Sequence, residues 1–467
     1  MTQNTDVIII GAGGGGSVVA KELGEKGINV VLLEAGPWYG NKKWLTPNQE
    51  HGAISSSQPE DLSIEVLGKC FTNHESDMND ILTGKLRWGP ADRNQNPWNR
   101  NIPQEGFAWQ SSGVGGSTLV YFAISPRAYP IAMDGIWPIA YGEMIPYYEK
   151  AEAALSVSPA PVTAKEELFF YGAKKAGWSL LKTLNVTSPG YRPQPNAILS
   201  PHPNINDSNF KFDGNSEGCT LCGHCVNGCR IGPEVEKVAK RSTLVSYIPY
   251  ALKTGRVEVR PNTFVTRILA EKNKKEGLKS VGVRFRDTWT GKTGELKARV
   301  VVMAAGAIES PRLWLNSKLP DNPWVGKGLT NHWFDFVAGI FDEKVLLNVL
   351  GTSEVEPYIG QNSAARFDYP GLGNIQLFGA SPGLYSTILY SLSNDGYNFL
   401  RQPDPTEPWD IKGRTAGKEL TEFMAQYPKT LSVWISTDDE VNQKNGVTLD
   451  PFLRDAHGRI PKIKYEP

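Results

Sequence analysis

Two uninterrupted apolar runs, Asp6-Val-Ile-Ile-Ile10 and Ile28-Asn-Val-Val-Leu-Leu-Glu34, open the chain. Apolar runs that do not alternate predict strands buried on both faces of a parallel sheet. Between them, Ser17-Val-Val-Ala-Lys-Glu-Leu-Gly-Glu-Lys-Gly27 predicts a helix stopped by glycine. A third such run, Arg299-Val-Val-Val-Met-Ala-Ala-Gly306, closes on small residues and leads into the helix-like Ile308-Glu-Ser-Pro-Arg-Leu-Trp-Leu-Asn316. Trp137, Tyr141 and the stretch from Tyr147 to Leu155 suggest another helical segment. Residues 187–216, rich in Pro, Asn and Ser, predict an irregular excursion. No internal repeat or low-complexity tract interrupts this pattern.

The turn between the first strand and helix is Gly11-Ala-Gly-Gly-Gly-Gly16. In a Rossmann-like dinucleotide site, Gly11 allows the tight turn and Gly13 lets the backbone approach a pyrophosphate. Gly16 permits close helix–strand packing. The phosphates rest on free N–H groups at the helix start, and Glu34, ending the second strand, can accept hydrogen bonds from an adenosine ribose. Strand, glycines, helix, strand and acid in this order are far more specific than a lone G-x-G-x-x-G. A second glycine loop, Ser112-Gly-Val-Gly-Gly-Ser-Thr-Leu-Val-Tyr121, offers bare backbone to another part of the nucleotide. Together with the run ending at Gly306, three separated segments fit an extended FAD better than a nicotinamide cofactor.

Four of the five cysteines, Cys219, Cys222, Cys225 and Cys229, fall in one short run. Their C-x2-C-x2-C-x3-C spacing is that of bacterial ferredoxins, and Gly223 and Gly228 relieve the tight turns. A structural zinc site usually has a longer gap between two knuckles. An iron–sulfur cluster is therefore the leading reading, four-iron ahead of three-iron, with zinc and unligated thiols as alternatives. The fourth ligand is Cys229 or, from elsewhere in the chain, Cys70. Arg230 stands where ferredoxins carry proline, and His224 suits a hydrogen bond beside the cluster.

At 467 residues the chain is long enough for two domains. Its 49 basic and 49 acidic residues cancel, which gives no support for a nucleic-acid partner. No basic leader precedes the first strand, and runs such as 300–305 are too short to span a bilayer. The expected location is cytoplasmic, with export alongside a signal-bearing partner left open.

Taken together, Gly11 to Gly36, 113–118, 240–251, 259–268, Ala304-Ala-Gly-Ala-Ile-Glu-Ser-Pro-Arg-Leu313 and Val325-Gly-Lys-Gly-Leu329 resemble the glucose–methanol–choline (GMC) flavoprotein oxidoreductases. The second loop is most similar to the branch containing bacterial cholesterol oxidases. The resemblance implies that Gly115, Gly116 and Thr118 lie along pyrophosphate and flavin, with Val120 and Tyr121 near the ring. Val265 would meet the adenine through its backbone, and Ala305 would lie near the phosphates. The candidate cofactor-binding set is Gly11, Gly13, Gly14, Gly16, Glu34, Ala35, Gly115, Gly116, Ser117, Thr118, Val120, Val265, Ala305 and Gly306.

The resemblance also implies alcohol oxidation, a base taking the hydroxyl proton while hydride moves to flavin N5. The family's catalytic histidine segment has no counterpart among His51, His74, His202, His224, His332 and His457. No catalytic residue is assigned. The stretch 447–467 resembles the strand and turn preceding that histidine, so the expectation is a truncated chain, a second chain supplying the segment, or a non-catalytic relative.

The expected fold class is α/β, a Rossmann-like FAD-binding domain with a discontinuous α+β substrate domain of antiparallel sheet and helices. The flavin domain would comprise 1–45, 90–125 and 235–330. The substrate domain would comprise 126–210 and 331–467, with 211–234 as a cysteine-rich insertion. The leading function is a dehydrogenase oxidising an alcohol, sugar or sterol hydroxyl, with electrons relayed through the cluster to a redox protein or small subunit. The alternatives are an oxygen-using oxidase with a structural cysteine site, and a non-catalytic flavoprotein subunit.

Overall fold

The computed structural model describes residues 5–36, 38, 112–205, 218–223, 225, 229, 238–273, 277–288, 290–332, 334–383, 385–386 and 417–465. The two opening apolar runs form strands β1 (Val7–Ile10) and β2 (Val30–Leu33), joined through helix α1 (Gly14–Glu25). Strands β3 (Val257–Arg260) and β4 (Val300–Met303) complete a four-stranded parallel sheet in the order β4-β1-β2-β3. All eight residues of β1 and β2 are buried, as continuous apolar runs in central strands should be. Edge strand β3 instead alternates buried and half-buried residues.

The faces of this sheet divide the core cleanly. Val7, Ile9, Val30, Leu32, Val257 and Val259 pack with Ala20 of α1 and Ile248 and Ala251 of the helix Tyr247–Lys253. The alternate residues Ile8, Ile10, Val31 and Leu33 meet Val265, Ile268, Val283 and Leu313 on the other side. Ile8, Ile9 and Leu32 have no exposed surface, and each contributes about 1.5–3 kcal/mol to folding by burial. Between β3 and β4 the chain forms an antiparallel meander of Thr263–Asn273, Gly277–Asp287 and Thr293–Lys297. Helix α2 (Gly306–Ser317) follows β4, close to the stretch 308–316 expected from sequence.

A second, antiparallel sheet holds Phe334–Ile340, Thr430–Thr437, Gly373–Phe378, Ala365–Tyr369 and Gly190–Pro193, in that spatial order. One face is apolar, with Ala365, Phe367 and Leu377 against Phe169 of the helix Ala164–Lys175. The opposite side carries a buried polar network around Asp368. Its carboxylate accepts from Arg192 Nε at 2.8 Å, Arg366 Nε at 2.7 Å and the Tyr129 hydroxyl at 2.7 Å. The α/β class with its antiparallel sheet and helices therefore stands. The helix suggested near Tyr147 also forms, over Tyr141–Ala154, although Trp137 and Tyr147 are exposed.

The final described element is a hairpin, Gly446–Asp455 with Gly458–Lys464, packed on α2. Buried Arg312 of α2 secures it, donating to Asp455 Oδ1 at 2.7 Å and to the Arg459 carbonyl at 2.9 Å. Its guanidinium also covers the Phe264 ring, against which His457 stacks with centroids 4.0 Å apart. No helix among the described residues is long and apolar enough to cross a membrane.

Candidate functional site

The carboxyl ends of β1, β2 and β4 converge on bare backbone. Gly11 turns with φ +99°, and a Cβ there would lie 2.5 Å from the Ala304 carbonyl oxygen. A Cβ on Gly16 would fall 1.8 Å from the Gly11 carbonyl oxygen, so helix and turn touch only because both residues are glycine. Gly15 faces open space, and the nearest atom to a Cβ on Gly14 is the Thr118 methyl at 3.9 Å. No side chain caps the N-terminus of α1, and its first turn holds no acidic residue. This leaves a positive helix end lined by peptide N–H groups, the general requirement for a pyrophosphate site.

The second glycine loop lies directly against the first. The Gly115 N–H donates to the Ala12 carbonyl at 2.9 Å. A Cβ on Gly116 would come within 2.6 Å of Gly13 Cα. Ser117 and Thr118 belong to a short 3-10 turn, Gly116–Leu119. The Thr118 hydroxyl bonds the Gly115 carbonyl at 2.6 Å and also meets the Thr243 hydroxyl at 3.1 Å. Val120 packs against the core beneath the loop, while the Tyr121 hydroxyl donates to the Arg241 carbonyl at 3.1 Å.

Glu34 is buried and turned onto these loops. Its Oε2 accepts from Ala12 N–H at 2.8 Å, and its Oε1 accepts from Gly36 and Gly113 N–H at 2.9 and 3.1 Å. Burial pushes its pKa above the usual carboxylate value, with the peptide donors acting in the opposite direction. The carboxylate expected from sequence to face a ribose thus also binds three separate backbone segments together. Ala35 follows it, its carbonyl accepting from Thr288 Oγ1 at 3.4 Å. Val265 places its side chain in the core and pairs with Phe285 beside an irregular register. The Ala305 N–H donates to Ser310 Oγ at 3.2 Å, and Gly306 starts α2 with φ +85°. A cavity of about 370 Å³ opens alongside α2, lined by Met303, Ser310, Trp314 and residues 325–330.

The four cysteines of the run are all described and none is in a disulfide; Cys70 lies outside the described residues. The segment 360–363 wraps the run, although it is remote in sequence. Gly360 N–H donates to the Leu221 carbonyl at 2.8 Å, and Asn362 Nδ2 donates to the Gly223 carbonyl at 2.7 Å. Sulfurs receive N–H donors as well. Cys219 accepts from Leu221 N–H at 3.4 Å, Cys229 from Lys240 N–H at 3.3 Å, and Cys225 from the Asn362 backbone. Burial, first, and the neighbouring cysteines, second, raise the Cys219 pKa to about 12. Cys229 is pushed up by burial first and then by Cys225, Cys222 and Cys219 in that order. The four thiols therefore share one electrostatic neighbourhood.

Among the described residues, no group of three or more His, Cys, Asp or Glu side chains is gathered closely enough for a single metal ion. An iron–sulfur core is larger than one ion and holds its thiolates farther apart than the ligands of a single ion. The donor chemistry is compatible with a cluster, whose sulfurs are commonly tuned by such hydrogen bonds.

His51, His74 and His224 lie outside the described residues. His457 is buried in the turn of the final hairpin, and His332 Nδ1 meets the Thr437 carbonyl at 3.4 Å. The 360–363 segment escaped the sequence reading, and Lys240 entered it only as the start of the family-like stretch 240–251, not as a neighbour of the cysteines. No motif marks 360–363.

Residues 5–334 match the family model described as GMC oxidoreductase. The chain is 26% identical over 502 residues to 2-methyl-1,2-propanediol dehydrogenase of Mycolicibacterium austroafricanum, covering 100% of this chain and 77% of that protein. It is 26% identical over 365 residues to 6'''-hydroxyparomomycin C oxidase of Streptomyces lividus, covering 72% of this chain but only 56% of the relative. Its fold is similar to that of a formate oxidase crystal structure, with TM-score 0.54 and 12% identity over 100% of this chain and 78% of the other.

Proposed function

Because the chain belongs to the GMC oxidoreductase family, we propose that it is the flavoprotein of an FAD-dependent dehydrogenase acting on an alcohol, sugar or sterol hydroxyl. The observation that carries this reading is the meeting of two glycine loops at the uncapped start of α1, behind the Glu34 clasp. When bound there, FAD supplies the acceptor for the substrate's hydride.

On this reading the peptide N–H groups of Gly13, Gly14 and Gly15 and the start of α1 hold the pyrophosphate. Gly11 and Gly16 keep the turn close enough to the sheet to present those groups. Glu34 and Ala35 position the adenosine side, with Val265 near the adenine. Gly115, Gly116, Ser117, Thr118 and Val120 line the path toward the flavin, and Ala305 and Gly306 close it from β4. The flavin half would comprise 1–45, 90–125 and 235–330, and the substrate half 126–210 and 331–467. No residue of the chain is assigned as the base, and a second chain supplying one belongs to the same proposal.

The finer part of the proposal is an iron–sulfur cluster at Cys219, Cys222, Cys225 and Cys229, relaying electrons to a redox protein. The spacing of the run and the N–H donors on its sulfurs support it. A dehydrogenase is among the relatives matched across all of this chain. An oxidase is among those matched in part, which favours oxygen as acceptor in the second reading.

The test is iron and acid-labile sulfide per FAD on anaerobically purified protein, with aerobic peroxide release measured beside it. Stoichiometric iron and sulfide without peroxide is the expected result. FAD with peroxide and no iron would replace the relay with the oxidase. Absence of bound FAD would overturn the flavoprotein reading altogether.

A further inference from the structure

We infer that Lys240 is the built-in counter-charge of the cysteine centre, holding it against the Gly116–Leu119 turn and raising its reduction potential. The inference rests on the cluster reading above.

Lys240 is buried at 3% exposure. Its ammonium donates to the Leu119 carbonyl at 2.8 Å and lies 5.4 Å over the Tyr121 ring. No carboxylate of the described residues pairs with it; burial works against its charge, and the described ionisable groups that favour it are Cys225 and Cys229. Its own N–H meets the Cys229 sulfur at 3.3 Å. A buried ammonium lacking an anion is strongly disfavoured unless an opposite charge completes it. Thiolates of a ligated cysteine centre are such a charge.

Lys165 provides the internal contrast. It is buried too, at 1% exposure, and also acts on Cys225. Glu166, however, sits 3.1 Å from it, so that pair is neutral as a unit. Lys240 has no such carboxylate partner among the described residues, and it lies where the cysteine loop meets the second glycine loop. One-electron reduction adds one negative charge to a cluster, and a fixed cation beside it stabilises the reduced form.

The experiment compares full-length wild type, Lys240→Gln and Lys240→Arg, purified without oxygen. Iron, sulfide and FAD are measured, and the cluster is titrated by spin resonance at controlled potentials. In Lys240→Gln the reduced-to-oxidised ratio at a fixed potential is expected to fall about tenfold, a downward displacement of about 59 mV for one electron. Lys240→Arg is expected to remain near wild type. Loss of iron from the glutamine variant alone also supports the counter-charge, since the arginine variant controls for packing. A glutamine variant titrating with wild type overturns the inference and leaves the cluster standing, as does loss of iron from both variants. Wild-type protein with FAD but no iron overturns the cluster reading and the inference together.

Discussion

The glycine turn at residues 11–16 and the cysteine run at 219–229 are both short, compositionally extreme loops, yet their geometry is specified differently. The turn is shaped by exclusion. Contacts as close as 1.8 Å from a hypothetical Cβ leave one residue type at Gly16, and the atoms excluding others lie within the turn and on β4. The cysteine run is shaped by partners. Its sulfurs and carbonyls are held by Lys240 and by 360–363, which folding must first bring from far along the chain. Local sterics can be read from a few consecutive residues, whereas a thiol's surroundings cannot.

The largest expected effect lies in the turn. Gly16→Ala should destabilise the protein by about 3 kcal/mol, measured by urea unfolding, with FAD lost from the purified protein. A cost below 1 kcal/mol would mean that the turn relaxes and that its shape is not set by exclusion. Glu34→Gln should cost about 2 kcal/mol, because an amide NH2 replaces an acceptor facing three peptide donors.

The same substitution tests a pH dependence. Burial raises the Glu34 pKa, so the folded state retains that proton more firmly than the unfolded chain. Stability should therefore fall as pH rises from the ordinary carboxyl value of 4.5 through the raised value, and Glu34→Gln should flatten that slope. An unchanged slope between wild type and variant would assign it to other groups.

Smaller effects separate chemistry from packing. Gly15→Ala, where no atom lies within 4 Å, should raise stability by about 0.5–1 kcal/mol while weakening FAD binding. Unchanged flavin affinity, measured by fluorescence titration, would move the pyrophosphate away from this residue. Exposed Cys222 changed to Ser should shift stability by no more than about 0.5 kcal/mol, yet halve or abolish bound iron. Full iron retention would remove Cys222 from the ligand set.

The same contrast explains what the chain disclosed. Strands β1, β2 and β4 and helices α1 and α2 were legible because apolar runs and punctuating glycines are local signals. The roles of Gly11 and Gly16 in shaping the turn followed from the same logic. Glu34 was identified as important, but its grip on Gly113 was not, since that residue is 79 positions away. The antiparallel sheet was expected only as a class. Its pairing of Gly190–Pro193 with Ala365–Tyr369, and the burial of Arg192 against Asp368, depend on contacts across more than 170 residues. Lys240 was legible only as the first residue of the family-like stretch 240–251, with nothing to tie it to the thiols. An isolated lysine reads as surface until the thiols and the Leu119 carbonyl stand beside it.

The Glu34 clasp has a consequence for how this family can vary. Gly36 and Gly113 meet so closely that a Cβ on Gly36 would fall 2.3 Å from the Gly113 nitrogen, and one carboxylate joins both. The two ends of the intervening stretch are thus clamped at a common neck. Lengthening a tethered loop adds closure entropy only logarithmically, about 0.6 kcal/mol for each doubling. A chain of any length between Gly36 and Gly113 is therefore closed by the same carboxylate, at the Ala12 backbone that belongs to the nucleotide turn.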